Sequence, residues 1–232
     1  MAANYNECYI AFLDILGFKN MINTLTCEEI LHVFTYDLKN KLSGIYNGKE
    51  PLIDTDNIHM RVMSDSICFW IGADIENALA GLIVTCLHFQ AELLYCKNPI
   101  LLRGAITKGG VFANDQVIFG PGYVDAYLME ENNAKYPRII MANALREEAL
   151  IATKENCKYY LYTHVFEDFD AFLSLDYLEL FEGYDNEDNC KRLFNHITNV
   201  LDNALDSSIR EKFLYVKRRL LRWYNPDTNS TR

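Results

Sequence analysis

Two aspartates stand where apolar runs of β character give way to tight turns. Asp14 lies in Ala11-Phe12-Leu13-Asp14-Ile15-Leu16-Gly17-Phe18, and Asp65 in Val62-Met63-Ser64-Asp65-Ser66. Carboxylates brought together at strand ends make a site for hard, oxygen-ligated divalent cations. A pair of such cations is what phosphoryl chemistry on a nucleoside triphosphate requires. The same residues have a purely local explanation, because aspartate caps helices and populates turns. Both readings of Asp14 and Asp65 stand on the sequence, with the carbonyl of Ile15 as the expected extra ligand under the first. Leu16-Gly17-Phe18 then sets backbone N–H groups at the start of a helix, where unpaired donors and the dipole attract phosphate. Gly17 lets the chain come close to such a ligand.

Cations are the next requirement. Arg103 lies inside the apolar strand Leu101–Ala105, where a guanidinium either meets a carboxylate or awaits a ligand anion; structural pairing with an acidic neighbour is the favoured reading. Lys108 precedes Gly109-Gly110, and Arg138 follows Pro137 at a strand start. Each is either a solvated residue or a phosphate contact. The five histidines lie far apart with no ligand spacing. Lys217-Arg218-Arg219-Leu220-Leu221-Arg222 reads as a solvated helix face complementing the helix dipole.

With 232 residues and 50% hydrophobic content, the chain is long enough for one well-buried domain. A net charge of -10 argues against a general nucleic-acid binder, which needs basic faces to displace counterions. An acidic chain still binds polyphosphate if metal ions and a few local cations offset the repulsion. The seven cysteines are odd in number, lack C-x-x-C spacing and sit mostly in apolar runs, as small core hydrophobes do. No basic-then-apolar leader opens the chain, and no charge-free run is long enough to span a bilayer. The expectation is a reducing cytoplasm, with neither membrane nor nucleic acid as partner.

The elements that must position these residues follow from local pattern. Tyr9 to Leu13 reads as a buried strand ending at Asp14, with a helix after Gly17. Thr26-Cys27-Glu28-Glu29 fits a capping box, and Ile30, Phe34, Leu38 and Leu42 recur at helical spacing. His59–Met63 and Ile67–Ile71 form a hairpin with Asp65 at its tip. A long helix runs from Asp74 to about Cys96. Leu101–Thr107 is a strand, which Gly109-Gly110 turns into Val111-Phe112; Val117–Phe119 follows. Gly120 opens a helix through Met129, and Pro137–Met141 is a further strand. Beyond Asn143 come a helix, strands near Tyr159–Tyr162 and Ala171–Leu175, an acidic loop from Glu182 to Asp188, and two helices. Asp206-Ser207-Ser208 introduces the second of these. The order β-α-β-β-α-β predicts an α+β fold, a ferredoxin-like antiparallel or mixed sheet with helices on one face. The expected division is a catalytic domain over 1–180, a C-terminal helical extension over 181–224 and a disordered tail over 225–232.

Together these segments resemble a known family. Phe12-Leu13-Asp14-Ile15-Leu16-Gly17-Phe18 resembles the first metal motif of class III nucleotide cyclases, and Ser64-Asp65 looks like the second, with serine in place of glycine. Leu102-Arg103-Gly104-Ala105-Ile106-Thr107-Lys108-Gly109-Gly110-Val111 is similar to their glycine-containing β-segment, and Gly120–Glu130 to the helix after it. The resemblance covers Tyr9 to Met141. The phrasing of Ala11–Phe18 with Tyr136-Pro137-Arg138-Ile139 is closest to the pyrimidine cyclases of bacterial anti-phage Pycsar systems. This chain departs from the purine cyclases at informative places. Arg61 stands where they carry a lysine, and Val117 where a purine-selecting aspartate is expected. Val124 and Leu128 replace their transition-state asparagine and arginine.

The resemblance implies a uridylate cyclase that turns UTP into 3′,5′-cyclic UMP and pyrophosphate with two Mn²⁺ or Mg²⁺ ions. Asp14, Asp65 and Ile15 would hold the metals. Leu16, Gly17, Phe18, Arg61 and Lys108 would bind substrate, and Arg103 and Arg138 join the two aspartates as catalytic candidates. It further implies a head-to-tail homodimer with composite sites, and a separate effector protein that responds to the cyclic nucleotide. CTP as substrate, a purine cyclase, a related metal-dependent nucleotidyl transferase and a non-catalytic nucleotide-binding homologue are the alternatives.

Overall fold

The computed structural model describes residues 4–34, 52–96, 98–155, 164–182, 187–222 and 224. Among the described residues eight strands form one mixed sheet: β1 (Asn6–Ile15), β2 (His59–Met63), β3 (Ser66–Gly72), β4 (Leu102–Ala113), β5 (Ile118–Phe119), β6 (Ile139–Met141), β7 (Val165–Glu167) and β8 (Leu173–Leu175). Their order is β2-β3-β1-β4-β6-β8-β7, with β5 beside β4. Only the β4–β6 pairing is parallel among the described residues. The helices are α1 (Phe18–Thr24), α2 (Cys27–Phe34), α3 (Ala78–Leu93), α4 (Pro121–Asn133), α5 (Arg146–Glu155), α6 (Tyr177–Glu182), α7 (Glu187–Asn203) and α8 (Ser207–Leu220). The α+β class and the mixed sheet are as the sequence predicts.

The layering is not. β1 lies between β3 and β4 and is buried on both sides from Cys8 to Leu13. Tyr9, Ala11, Leu13 and Ile15 point into the main core, which includes the α3 residues Leu82, Ile83 and Phe89. Cys8, Ile10 and Phe12 point the other way, into a second cluster with Ala126 and Tyr123 of α4. Alternation along a strand sends odd and even residues to opposite faces, so helices cover both faces rather than one. That explains why β1 reads as a continuous apolar run.

Boundaries moved where glycine was read as a turn. β4 runs unbroken through Gly109 and Gly110. A Cβ on Gly109 would lie 2.8 Å from the Cα of Gly122, so the missing side chains let α4 rest directly on β4. Asp14 likewise falls inside β1, paired with Ser66 and Arg103, not at its end. β7 was not anticipated.

Elsewhere local chemistry is legible. The Thr26–Glu29 capping box forms, with Thr26 N–H donating to Glu29 Oε2 at 2.8 Å and Glu29 N–H to Thr26 Oγ1 at 3.2 Å. Asp206 caps α8 by accepting from the N–H groups of Ser208 and Ile209. The C-terminal helices contribute Leu193, Ile197, Leu201, Val216 and Leu220 to the main core. Arg192 of α7 donates to the carbonyls of Leu94, Tyr95 and Cys96 at the end of α3, satisfying acceptors that a helix C-terminus leaves open. Leu38, Leu42, the strand expected at Tyr159–Tyr162 and the tail 225–232 lie outside the described residues. No described helix is long and apolar enough to cross a membrane.

Candidate active site

The two aspartates meet at one edge of the sheet. Asp65 occupies the turn between β2 and β3, and its carbonyl accepts the backbone N–H of Ile15 at 2.9 Å. In an extended residue the N–H and C=O leave on the same side, so the Ile15 carbonyl also faces the hairpin tip. Asp14, one residue earlier, lies on the α4 face with Phe12. Its carboxyl is pushed up from the ordinary range, first by burial, against the hydrogen bond and charge of Arg103, and with help from the Asp65 charge. The two carboxylates therefore share one electrostatic neighbourhood.

Arg103 is tied into it. Its position opposite Asp14 in the β1–β4 ladder lets Nε donate to Asp14 Oδ2 at 2.9 Å, and a terminal nitrogen reaches the Ala134 carbonyl at 3.4 Å. Glu130 of α4 completes the cluster, with Oε1 also 2.9 Å from the Arg103 Nε. An arginine Nε carries one hydrogen, and Asp14 takes it. The Glu130 Oε1 is accordingly a buried oxygen without a hydrogen bond, close to a cation yet undonated. Burial, only partly offset by Arg103, pushes the Glu130 carboxyl up to about 7.

Asp14, Asp65 and Ile15 present only oxygen donors, the set that Mg²⁺ or Mn²⁺ prefers over softer metals. Among the described residues no group of three or more His, Cys, Asp or Glu side chains is assembled for a metal. A cation here would complete its shell with backbone, substrate and solvent oxygens, as Mg²⁺ ordinarily does. The donor set fits such an ion. The second Asp14 oxygen, Oδ1, is not the one that Arg103 holds.

The other expected site residues divide. Gly17 adopts φ 78 at the start of α1, a left-handed value that favours glycine. A Cβ there would meet nothing within 4 Å, so conformation rather than crowding selects it. The Leu16 N–H is spent on the Leu101 carbonyl at 2.9 Å and is not a phosphate donor. Gly17 and Phe18 remain as candidates, although α1 has only seven residues. Arg61 lies on the strand that leads to Asp65 and donates to the Asn114 carbonyl beside β5.

Two cations lie elsewhere. Lys108 pairs with Tyr9 in the ladder, which puts it on the face opposite Asp14. There its Nζ sits 3.1 Å from the Tyr9 hydroxyl and 3.5 Å from Glu148 Oε1. Arg138 is completely buried. Its guanidinium is paired with Asp168 and Asp170 and lies 5.2 to 5.8 Å from the ring centres of Tyr136, Phe169 and Tyr215. Arg138 is thus a structural cation, its charge consumed inside the fold, and Lys108 belongs to the opposite face; neither faces the carboxylates.

Sequence reasoning missed two residues. Gly122, Ala126 and Glu130 form the buried stripe of α4. A carboxylate on a stripe of period four was a visible signal, because buried acids need partners. Lys212 of α8, whose charge lowers the proton affinity of Asp14, gave no signal, since only tertiary packing brings α8 to the end of β1.

No family model matches the chain, and no curated protein matches it in sequence. Solved structures do. The monomeric guanylyl cyclase domain of a RhoGC fusion protein from the aquatic fungus Blastocladiella emersonii is 13% identical with a TM-score of 0.51, over 75% of this chain and 96% of that one. An adenylyl cyclase from P. aeruginosa is 13% identical at TM-score 0.47, over 75% and 94%. An adenylate/guanylate cyclase/hydrolase from Silicibacter pomeroyi is 16% identical at 0.44, over 67% and 84%. The fungal domain carries the conclusion: this chain has the α+β fold of a class III cyclase catalytic domain, with Asp14 and Asp65 together at the edge of its sheet.

Proposed function

We propose that this chain is a pyrimidine nucleotide cyclase that converts UTP into 3′,5′-cyclic UMP and pyrophosphate. The observation that carries the reading is the convergence of Asp14 and Asp65, joined through the Ile15–Asp65 backbone hydrogen bond, on a fold shared with a guanylyl cyclase domain. Asp14, Asp65 and the Ile15 carbonyl would hold two Mg²⁺ or Mn²⁺ ions. When bound, such ions lower the pKa of the ribose 3′-hydroxyl and neutralise charge on the departing pyrophosphate.

The residues of the chain supply the rest. Arg103 fixes the rotamer of Asp14 through Oδ2, which presents Oδ1 outward without a search among conformers. Phe12, edge-on to Tyr123 and Tyr127 at 5.6 and 5.5 Å, packs β1 against α4 beside the carboxylates and restricts water there. The 3′-oxygen would attack the α-phosphorus in line, with the 3′-O–P bond forming as the α–β bridging P–O bond breaks.

Val117, Val124 and Leu128, exposed on β5 and its approach and on α4, favour a pyrimidine. They stand where the resemblance places purine-reading and transition-state groups, and an apolar wall suits a smaller base without a purine-specific hydrogen-bond partner. The same exposed face supports a head-to-tail homodimer in which it meets the aspartates of a second copy. Release of the cyclic nucleotide to a separate effector protein in anti-phage defence is the biological setting we propose, in the cytoplasm. CTP is the second substrate to test.

Incubating the purified protein with each of the four ribonucleoside triphosphates and Mn²⁺, and identifying products by mass spectrometry, tests this. Cyclic UMP as the main product is expected. Linear or dinucleotide products, or cyclic purines alone, overturn the proposal. A binding-only homologue is the second reading, favoured by valine and leucine at positions 124 and 128; it predicts nucleotide binding with no turnover of any of the four.

A further inference from the structure

Where β1 ends, two distant parts of the sequence line an open cleft of about 520 Å³. One wall is the Leu16–Gly17 turn with Met21 of α1 and Leu25 just after it; the other is the C-terminal pair, with His196 on α7 and Lys212 and Phe213 on α8. Lys212 is the cation on that second wall. It is half-buried, and among the described residues it makes no ion pair. Its side chain lies in a mostly apolar lining that it shares with the Leu16–Gly17 turn just after Asp14 and Ile15.

We infer that Lys212 is a phosphate-anchoring residue of the nucleotide site, holding the β- and γ-phosphates of a triphosphate whose α-phosphate lies at Asp14 and Asp65. The inference rests on the nucleotide-binding reading proposed above and assigns the C-terminal helices a part in it. Charge balance motivates it. A triphosphate brings several negative charges to an edge that already carries Asp14 and Asp65. Of the cations considered there, Arg103 is engaged by Asp14 and Glu130, and Arg61 by the Asn114 carbonyl. Arg138 is sealed among Asp168, Asp170 and three rings, and Lys108 faces away. Lys212 lines the same cleft as Leu16 and Gly17, the turn that directly follows Asp14 and Ile15, within the reach of a chain of phosphates. A compact ammonium with three donors suits a terminal phosphate, which asks for charge more than for planar geometry.

The test compares Lys212→Gln and Lys212→Arg with the unaltered protein by isothermal titration, using UTP, UMP and inorganic tripolyphosphate, each with Ca²⁺. Lys212→Gln should weaken UTP and tripolyphosphate binding about tenfold or more, the scale of one lost charge-assisted hydrogen bond, and leave UMP binding unchanged. Lys212→Arg should restore most of the loss. Thermal melts of both variants should match the unaltered protein, because Lys212 makes no ion pair among the described residues. Equal UTP affinity in Lys212→Gln and the unaltered protein overturns the inference alone, and so does an equal loss for UMP and UTP. An unaltered protein that binds none of the three ligands overturns the nucleotide reading and this inference together.

Discussion

The Nε of Arg103 lies 2.9 Å from Oδ2 of Asp14 and hydrogen-bonds it across the β1–β4 ladder. The same nitrogen is 2.9 Å from Oε1 of Glu130, which receives no hydrogen from it. One guanidinium thus stands between a carboxylate that it orients and a buried carboxylate that it serves by charge alone. That asymmetry sets the behaviour of the metal-free protein.

Glu130 provides the pH dependence. Its carboxyl has an ordinary value of 4.5 and stands at about 7 in the fold, chiefly through burial. A raised folded value means that the native state holds the proton more tightly than the unfolded chain. The stability this group contributes is complete below about 4.5 and is lost as pH rises through about 7. Glu130→Gln, which keeps the shape and removes the ionisation, should stabilise the protein at pH 8 by roughly 1–3 kcal/mol and hardly at all at pH 4.5. Chemical denaturation in EDTA at the two pH values measures this. Equal effects at both would show that Glu130 is not held protonated.

Removing Arg103 exposes the converse. Arg103→Ala leaves Asp14 and Glu130 without their shared cation, at a cost of about 3 kcal/mol near pH 8. The cost should shrink toward pH 5, where Glu130 is neutral in both proteins. Arg103→Lys should recover part of the stability and little of the activity, because an ammonium cannot fix the Asp14 rotamer as the planar group does. Denaturant midpoints and initial rates on the same samples separate the two effects.

How much of this was readable beforehand depended on the range of the interaction. Asp14 and Asp65 were legible because each sits beside a local signal, an apolar strand or a hairpin turn, and the Thr26–Glu29 and Asp206 caps were legible for the same reason. Lys108 and Arg138 kept two readings each, solvated residue or phosphate contact, for lack of register and partners. A strand's alternation fixes that Lys108 opposes Tyr9 only once β4 is seen to continue through Gly109 and Gly110. The carboxylates that consume Arg138 lie some thirty residues away. Glycine was over-read as a turn former where it serves close packing of α4 on β4.

Arg138 should therefore matter for folding rather than for the reacting groups. Arg138→Met takes the guanidinium from Asp168, whose side chain is only 9% exposed, while Asp170 keeps contact with water. Uncompensated buried charge of this kind costs about 3–5 kcal/mol. The loss should appear as a lower denaturant midpoint, with the KM for triphosphate unchanged in the fraction that remains folded. An unchanged midpoint with a large fall in kcat would instead place Arg138 in the site.

The metal-ligand assignment makes a sharper demand. Asp65→Asn keeps the turn, since asparagine populates the same backbone conformations, but removes a charge that a divalent ion needs. Mn²⁺ binding followed by calorimetry should weaken at least about tenfold, and cyclisation should fall by about a hundredfold or more. Because Asp65 also raises the proton affinity of Asp14, thermal stability should not fall with activity. A variant that loses both together would assign Asp65 to the turn alone.

The last prediction concerns the exposed apolar face. Val124 and Leu128 are 48% and 44% exposed, four residues apart on one side of α4, with Phe119 of β5 and Tyr127 also half open to solvent. Isolated apolar residues on a surface are ordinary, whereas a contiguous group flanked by polar residues marks an association surface. If this face meets the aspartate edge of a second copy, Leu128→Glu places a charge in a desolvated interface and opposite other carboxylates. The dimer should then form only at concentrations at least about a hundredfold higher than for the unaltered chain, and activity should become concentration-dependent in the same range. Light scattering over a dilution series, run beside rate measurements, reads both. A monomer that stays fully active at every dilution would mean that the aspartates work with groups of their own chain, and would leave the Val124–Leu128 face without a part in the reaction.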